Sequence, residues 1–131
     1  MSQDIEDFRP QIDAALIYAG GTHLFEDVKG MVEREECQFW PGVDSCVITQ
    51  IHFEPRRRIL NIFLAGGDLA EIEAMTPLIL QWGYEQGCTV AAFTGRRGWE
   101  RTFLTRTGWT PEMTMFAKEL GAAEYGKERE R

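Results

Sequence analysis

Along this chain the spacing of hydrophobic positions changes several times, and each change marks an element. From Phe8 to Tyr18, Ile12, Leu16 and Ala19 recur at helical spacing until Gly20-Gly21 stops the run. Thr22 is placed as the N-cap of a second helix reaching about Glu36, with Leu24, Phe25, Val28 and Met31 on its stripe. Gly30 weakens that helix by about 1 kcal/mol relative to Ala. The period then falls to two. Gln38-Phe39-Trp40 reads as a short strand ended by Pro41-Gly42, and longer strands cover Ser45 to Phe53 and Ile59 to Ala65, joined by the loop Glu54–Arg58. Both alternating sets of the first long strand carry apolar residues, which places it inside the sheet.

Asp68 is suited to cap the next helix, in which Leu69, Ile72, Met75, Ile79 and Trp82 form the strongest helical stripe in the chain, ending at Gln86-Gly87. Pro77 inside it predicts a kink or a split. Residues 88–94 read as a strand buried on both faces, 95–107 as a helix with Trp99 and Phe103 on one side, and about 109–118 as a last strand. Gly108 is positioned to close the helix with a left-handed residue. The expected packing sets Trp99 and Phe103 against Val90 and Ala92. Expected domain limits are a loose start at 1–7, one domain over 8–118 and a polar, disordered tail at 119–131.

A chain of 131 residues, 44% hydrophobic and 27% charged, is sized for one globular domain. Its net charge of −7 argues against a general nucleic-acid surface. Cations nevertheless gather in two places: Arg56, Arg57 and Arg58 in the hairpin loop, and Arg96, Arg97, Arg101 and Arg106 near the C-terminal helix. Each knot can be read as an anion site or as a solvated face. The three cysteines, Cys37, Cys46 and Cys88, lack Cys-x-x-Cys spacing and read as free thiols in a reducing compartment. No apolar run has transmembrane length and the start is acidic, so the expected location is cytoplasmic, with no membrane partner.

The order of elements, the segment Leu60–Gly67 leading into the long helix, and the Gly108-Trp109 ending resemble the GNAT N-acetyltransferase superfamily over about residues 8–118. Arg97-Gly98-Trp99-Glu100-Arg101 followed by Gly108-Trp109 is also similar to small phage- and prophage-encoded proteins, which would place the chain in a host cytoplasm or a virion. The resemblance implies an α/β (α+β) fold with a central mixed sheet between the long helix and the two N-terminal helices, lacking the family's first strand. It implies acetyl-CoA or CoA as cofactor and an amine as acceptor. The pyrophosphate would lie on the backbone of Ala65, Gly66, Gly67, Asp68 and Leu69, at the start of the long helix, assisted by Arg96 or Arg97.

Two departures from the family pattern touch the chemistry. Asp68 sets a carboxylate where phosphates would arrive, and one like-charge contact at roughly 4 Å costs about 4 kcal/mol at an effective dielectric of about 20. The Tyr that commonly protonates the leaving thiolate corresponds to Leu104, which cannot. His52 and Glu54 are the candidate bases, and neither is supplied with a partner by the sequence. Two function classes follow. One is an acetyl-CoA-dependent N-acyltransferase working by direct attack of the amine. The other is a non-catalytic interaction module, such as a phage accessory protein, that binds another protein through Trp40, expected to be exposed, and the Arg56–Arg58 loop.

Overall fold

The computed structural model describes residues 4–95 and 97–126, apart from the side chains of Arg97 and Glu100. A 3₁₀ turn, Ile5–Phe8, leads into helix α1, Arg9–Leu16, and then α2, Phe25–Glu33. Strands β1 (Gln38–Pro41), β2 (Cys46–Phe53) and β3 (Arg58–Gly66) precede α3 (Leu69–Glu85) and β4 (Val90–Phe93). A second 3₁₀ turn, Arg97–Arg101, and two short helices, α4 (Phe103–Arg106) and α5 (Ala122–Tyr125), complete the described chain.

The four strands form one sheet in the order β1-β2-β3-β4. The first three pair antiparallel, and β4 returns parallel to β3 after the α3 crossover. This mixed sheet separates two apolar clusters. On one side the 3₁₀ turn, α1 and α2 bring Ile5, Phe8, Ile12, Phe25 and Val28 onto Cys46, Ile48 and Leu64. On the other side α3 and α4 bring Ile72, Ile79 and Phe103 onto Val47, Leu60 and Ile62. The expected layering, with the long helix on one face and the N-terminal helices on the other, is therefore the observed one. So is the interior position of β2, between β1 and β3.

Several local expectations are corrected. The start is anchored rather than loose from Asp4 onward, because Ile5 is buried in the core and Asp4 caps the 3₁₀ turn by accepting from the Glu6 N–H. Thr22 does not cap α2. Its hydroxyl donates to the Ala19 carbonyl, and Asp27 instead accepts the Leu24 N–H at 2.8 Å. Pro77 lies within the uninterrupted α3 on its exposed side, where water can satisfy the carbonyl that a proline leaves unbonded.

The strongest corrections lie near the C-terminus. β4 is half-buried along its length, not buried on both faces, because it is the edge strand of the described sheet. Residues 95–107 do not form one helix. Thr102 is extended, accepts the Leu104 N–H and starts α4 afresh. Trp99 and Phe103 still share a cluster, but their β4 neighbours are Ala91 and Phe93, not Val90 and Ala92. Gly108 has φ +92°, and the Trp109 N–H reaches the Leu104 carbonyl at 3.0 Å, the left-handed closure expected of it. Residues 109–118 are not a strand, and Met113, Met115 and Phe116 stand exposed. Within the expected disordered tail, Ala122–Tyr125 form a helical turn, while 127–131 lie outside the described residues.

Candidate functional site

Two irregularities of β3 coincide. Ile48 pairs with Leu64 while Thr49 pairs with Ile62, so Phe63 is an extra residue, a β-bulge. The parallel ladder to β4 ends at Ile62 and Phe93. Beyond that point β3 runs on to Gly66 without β4 paired beside it, because β4 ends at Phe93, and this end of the shared ladder is the split between the two strands. This split faces the α3 N-terminus, and it is where the expected cofactor residues lie.

The loop from β3 into α3 is held by the protein's own chain. A Cβ on Gly66 would stand 2.3 Å from the Gln11 carbonyl oxygen of α1, so α1 uses the space that the missing side chain leaves. Gly67 has φ +117°, and a Cβ there would meet the Asp44 carbonyl at 2.5 Å and Ser45 at 2.6 Å. Fully buried Ser45 accepts the Asp68 N–H on Oγ at 2.7 Å. The Asp68 carboxylate accepts the Ala70 N–H at 3.3 Å, as a helix cap does. One turn on, Glu71 accepts the backbone N–H groups of Val43 at 2.6 Å and Asp44 at 2.9 Å. Those bonds, Val43 first and then the Ser45 side chain and Asp44, hold the Glu71 carboxyl below its ordinary pKa. Ala65, Gly66, Gly67, Asp68 and Leu69 are thus brought together at the split, and both glycines are explained by contacts within the chain.

Beneath the split, on the α3 side, the space is filled. Phe93 and Trp99 meet edge to face with ring centroids 4.8 Å apart. Leu104, at the position where the resemblance implies an acid, joins them with buried Phe103. The residual cavity is about 20 Å³, lined by Val47, Ile62, Ala65, Ile72, Phe103 and their neighbours. Arg106 of α4 bridges to Glu73 of α3 at 3.6 Å across the outside of this packing. Arg101 is exposed. Arg96 lies outside the described residues, as does the side chain of Arg97.

The candidate bases do not reach the split. His52 is exposed and pairs with Ile59, at the hairpin end of the sheet, where its Nε2 lies 3.2 Å from Gln50 Oε1. Glu54 is exposed in the hairpin loop itself. The histidine near the split is His23, from the α1–α2 loop. Its ring packs edge to face on bulged Phe63 with centroids 4.9 Å apart, and its Nδ1 is 2.6 Å from Thr22 Oγ1. No local pattern in the sequence ties residue 23 to residue 63, so only the fold brings this histidine there. The thiols offer no nucleophile: all three are buried and free, and burial pushes Cys46 up to about 12.

The interaction residues fare unequally. Trp40 is half-buried, not exposed, since it packs edge to face on Trp82 at 5.5 Å and donates Nε1–H to Thr49 Oγ1 at 2.9 Å. Arg56 and Arg57 are exposed at the hairpin tip. Arg58 lies over the Phe53 ring at 4.8 Å and donates to the Gln86 carbonyl at 2.6 Å, tying the hairpin to the end of α3. Among the described residues no helix is long and apolar enough to cross a membrane.

No family model and no curated protein matches the sequence. Solved structures do match. A point mutant of TTHA1254 from Thermus thermophilus superposes with a TM-score of 0.64 at 12% identity, covering 92% of this chain and 96% of that one. The wild-type form gives 0.61 at 11% identity over the same shares. An acetyltransferase from Trypanosoma brucei gives 0.59 at 11% identity, covering 86% of this chain and 94% of that chain. Together with the mixed sheet, the α3 crossover and the split at Phe63, these likenesses show that the chain has a GNAT-like fold.

Proposed function

We propose that this chain is a GNAT-fold module that acts by binding a protein partner rather than by acyl transfer. The observation that carries this reading is the filled space under the strand split. Sites for drug-sized ligands have volumes of about 300–1,000 Å³. The packing of Phe93, Trp99, Phe103 and Leu104 leaves about 20 Å³, little more than one water needs. Two further features agree with it. Gly66 and Gly67 serve contacts with Gln11, Asp44 and Ser45, and the residue at the acid position is a packed Leu104. The exposed Arg56 and Arg57 at the hairpin tip suit an acidic partner surface.

Isothermal titration with acetyl-CoA and with CoA tests the reading. No heat at millimolar ligand is the expected result. Saturable binding near 100 µM or tighter would overturn it.

A specific observation favours a second reading, acetyl-CoA-dependent transfer to an amine. The bulge at Phe63 and the parting of β3 from β4 keep the frame in which such a cofactor would lie, and His23 stands on Phe63 beside it. In that case the pyrophosphate would meet the Asp68 carboxylate, and Asp68→Asn should tighten CoA while keeping the helix cap, because Asn caps as well as Asp. Unchanged or weaker CoA binding by that variant would remove the pyrophosphate assignment.

A further inference from the structure

At the end of the sheet opposite the strand split, the β2–β3 hairpin is tied to the turn between α3 and β4. The two enclose an open cleft of about 430 Å³, walled by Arg56, Arg57 and Arg58 on the hairpin and by Gly87 and Thr89 on the turn. That volume falls in the range of about 300–1,000 Å³ typical of ligand sites. Elsewhere cations find acids: Arg9, Lys29, Arg34 and Arg106 each bridge a carboxylate. The chain has 21 acidic against 14 basic residues, yet these three consecutive arginines make no ion pair among the described residues. Glu54 lines the same cleft and pairs with none of them.

The cations are also held in place. The Glu54 N–H donates to the Arg57 carbonyl at 2.9 Å, which closes the hairpin tip, and the Thr89 N–H donates to the Arg58 carbonyl at 3.0 Å. The Arg58 guanidinium lies over the Phe53 ring at 4.8 Å and spends Nη1 on the Gln86 carbonyl at 2.6 Å. Gly87 has φ +90°, and a Cβ there would stand 2.8 Å from that Nη1, so the turn leaves room for the guanidinium. Nε and Nη2 of Arg58 donate to no partner among the described residues, and Arg56 and Arg57 stand exposed on either side of the tip.

We infer that this cleft receives a phosphorylated serine or threonine of the protein partner; the inference rests on the partner-binding reading above and names what the hairpin recognises. A carboxylate has two oxygens, which one guanidinium fork fills. A phosphomonoester brings a charge near −2 and three acceptor oxygens, so it can meet two or three forks at once. Arg58 is the fixed fork, Arg56 and Arg57 close from the tip, and the Thr89 hydroxyl adds a neutral donor. Phe53 is 72% exposed beside Arg58 and offers an apolar surface to the residue flanking the phosphate. The Glu54 carboxylate opposes the anion and sets a limit on its affinity.

Nuclear magnetic resonance titration of the full chain with the peptide Ala-Leu-phosphoserine-Leu-Ala, blocked at both ends, tests the inference. The Arg58 Nε–H signal and the Gly87 and Thr89 amides should shift together, with a dissociation constant of about 1 mM or tighter. The unphosphorylated peptide and inorganic phosphate should each bind at least about tenfold more weakly. Arg56→Glu with Arg57→Glu should abolish the shifts while the protein melts like the parent, because both side chains are exposed. Glu54→Gln should tighten the complex about threefold by removing a like charge. Equal binding of the two peptides overturns the inference, and so does binding that survives the double charge reversal or ignores Glu54→Gln. Inorganic phosphate binding as tightly as the phosphopeptide overturns it as well, since the site would then take free phosphate. None of these outcomes bears on the CoA titration, which tests the underlying reading separately.

Discussion

The chain makes the same local move twice and secures it in opposite ways. After β3, Ala65-Gly66-Gly67-Asp68 turns a strand into a helix, and after β4, Thr94-Gly95 followed by the Arg97–Arg101 turn and Thr102 does so again. The first junction is fixed by polar contacts to backbone. Gln11 closes on Gly66, Ser45 takes the Asp68 N–H, and Glu71 receives two N–H groups from the β1–β2 turn. It feeds a helix of 17 residues. The second junction is fixed by rings, with Phe93, Trp99 and Phe103 filling the space under the strand split. It feeds a helix of four residues. Backbone clamps hold one geometry, because carbonyls and N–H groups of packed elements cannot move away. Apolar packing specifies volume more than direction, and the element it supports is short and interrupted.

The contrast is broken or sharpened most strongly by Phe103→Ala, which empties the ring-packed junction. Phe103 is 3% exposed, and the expected loss is about 3–5 kcal/mol in denaturant melts. Half-buried Trp99 should cost less when replaced by Ala, and the reverse order would mean that the wrong ring has been taken as the anchor.

Next comes Gly66→Ala, expected to cost about 1–3 kcal/mol, because its Cβ meets a backbone oxygen at 2.3 Å. Gly95→Ala should stay within about 1 kcal/mol, since the atoms it meets at 2.6 and 2.8 Å belong to the Phe93 and Trp99 rings, which can give way. Equal costs in the two melts would erase the distinction between clamp and packing.

Acid should find only the clamped junction. The folded pKa of Glu71 lies below its ordinary value, so its contribution is complete above the unfolded carboxylate range and is lost as pH falls through the folded value. Glu71→Gln should flatten the acid limb of the stability–pH curve. An identical acid limb in parent and variant would show that the Val43 and Asp44 bonds do not depend on the charge.

Gly108→Ala isolates the backbone contribution, with φ +92° at the end of α4 and nothing within 4 Å of a new Cβ. A loss of about 1–2 kcal/mol from backbone strain alone is expected. A neutral result in the same melts would mean that the ending relaxes freely.

Sequence by itself determined the elements whose cause is local. The stripe from Leu69 to Trp82 places α3, the alternation from Cys46 to Phe53 places β2 inside the sheet, and Asp68 and Gly108 act as the caps their residue types dictate. Element order was enough to indicate a GNAT-like fold, because the mixed sheet and the α3 crossover follow from it. What only the tertiary structure decided depends on residues far apart in the chain. Gly66 and Gly67 read as a ligand cradle until Gln11 and Asp44 are seen to occupy their open sides. His23 meets Phe63, Trp40 turns inward onto Trp82, and His52 is carried to the far end of the sheet. The pattern over 109–118 could specify a strand but not a partner for it. A strand is completed by the edge it joins, and that edge belongs to the assembled fold rather than to any stretch of sequence.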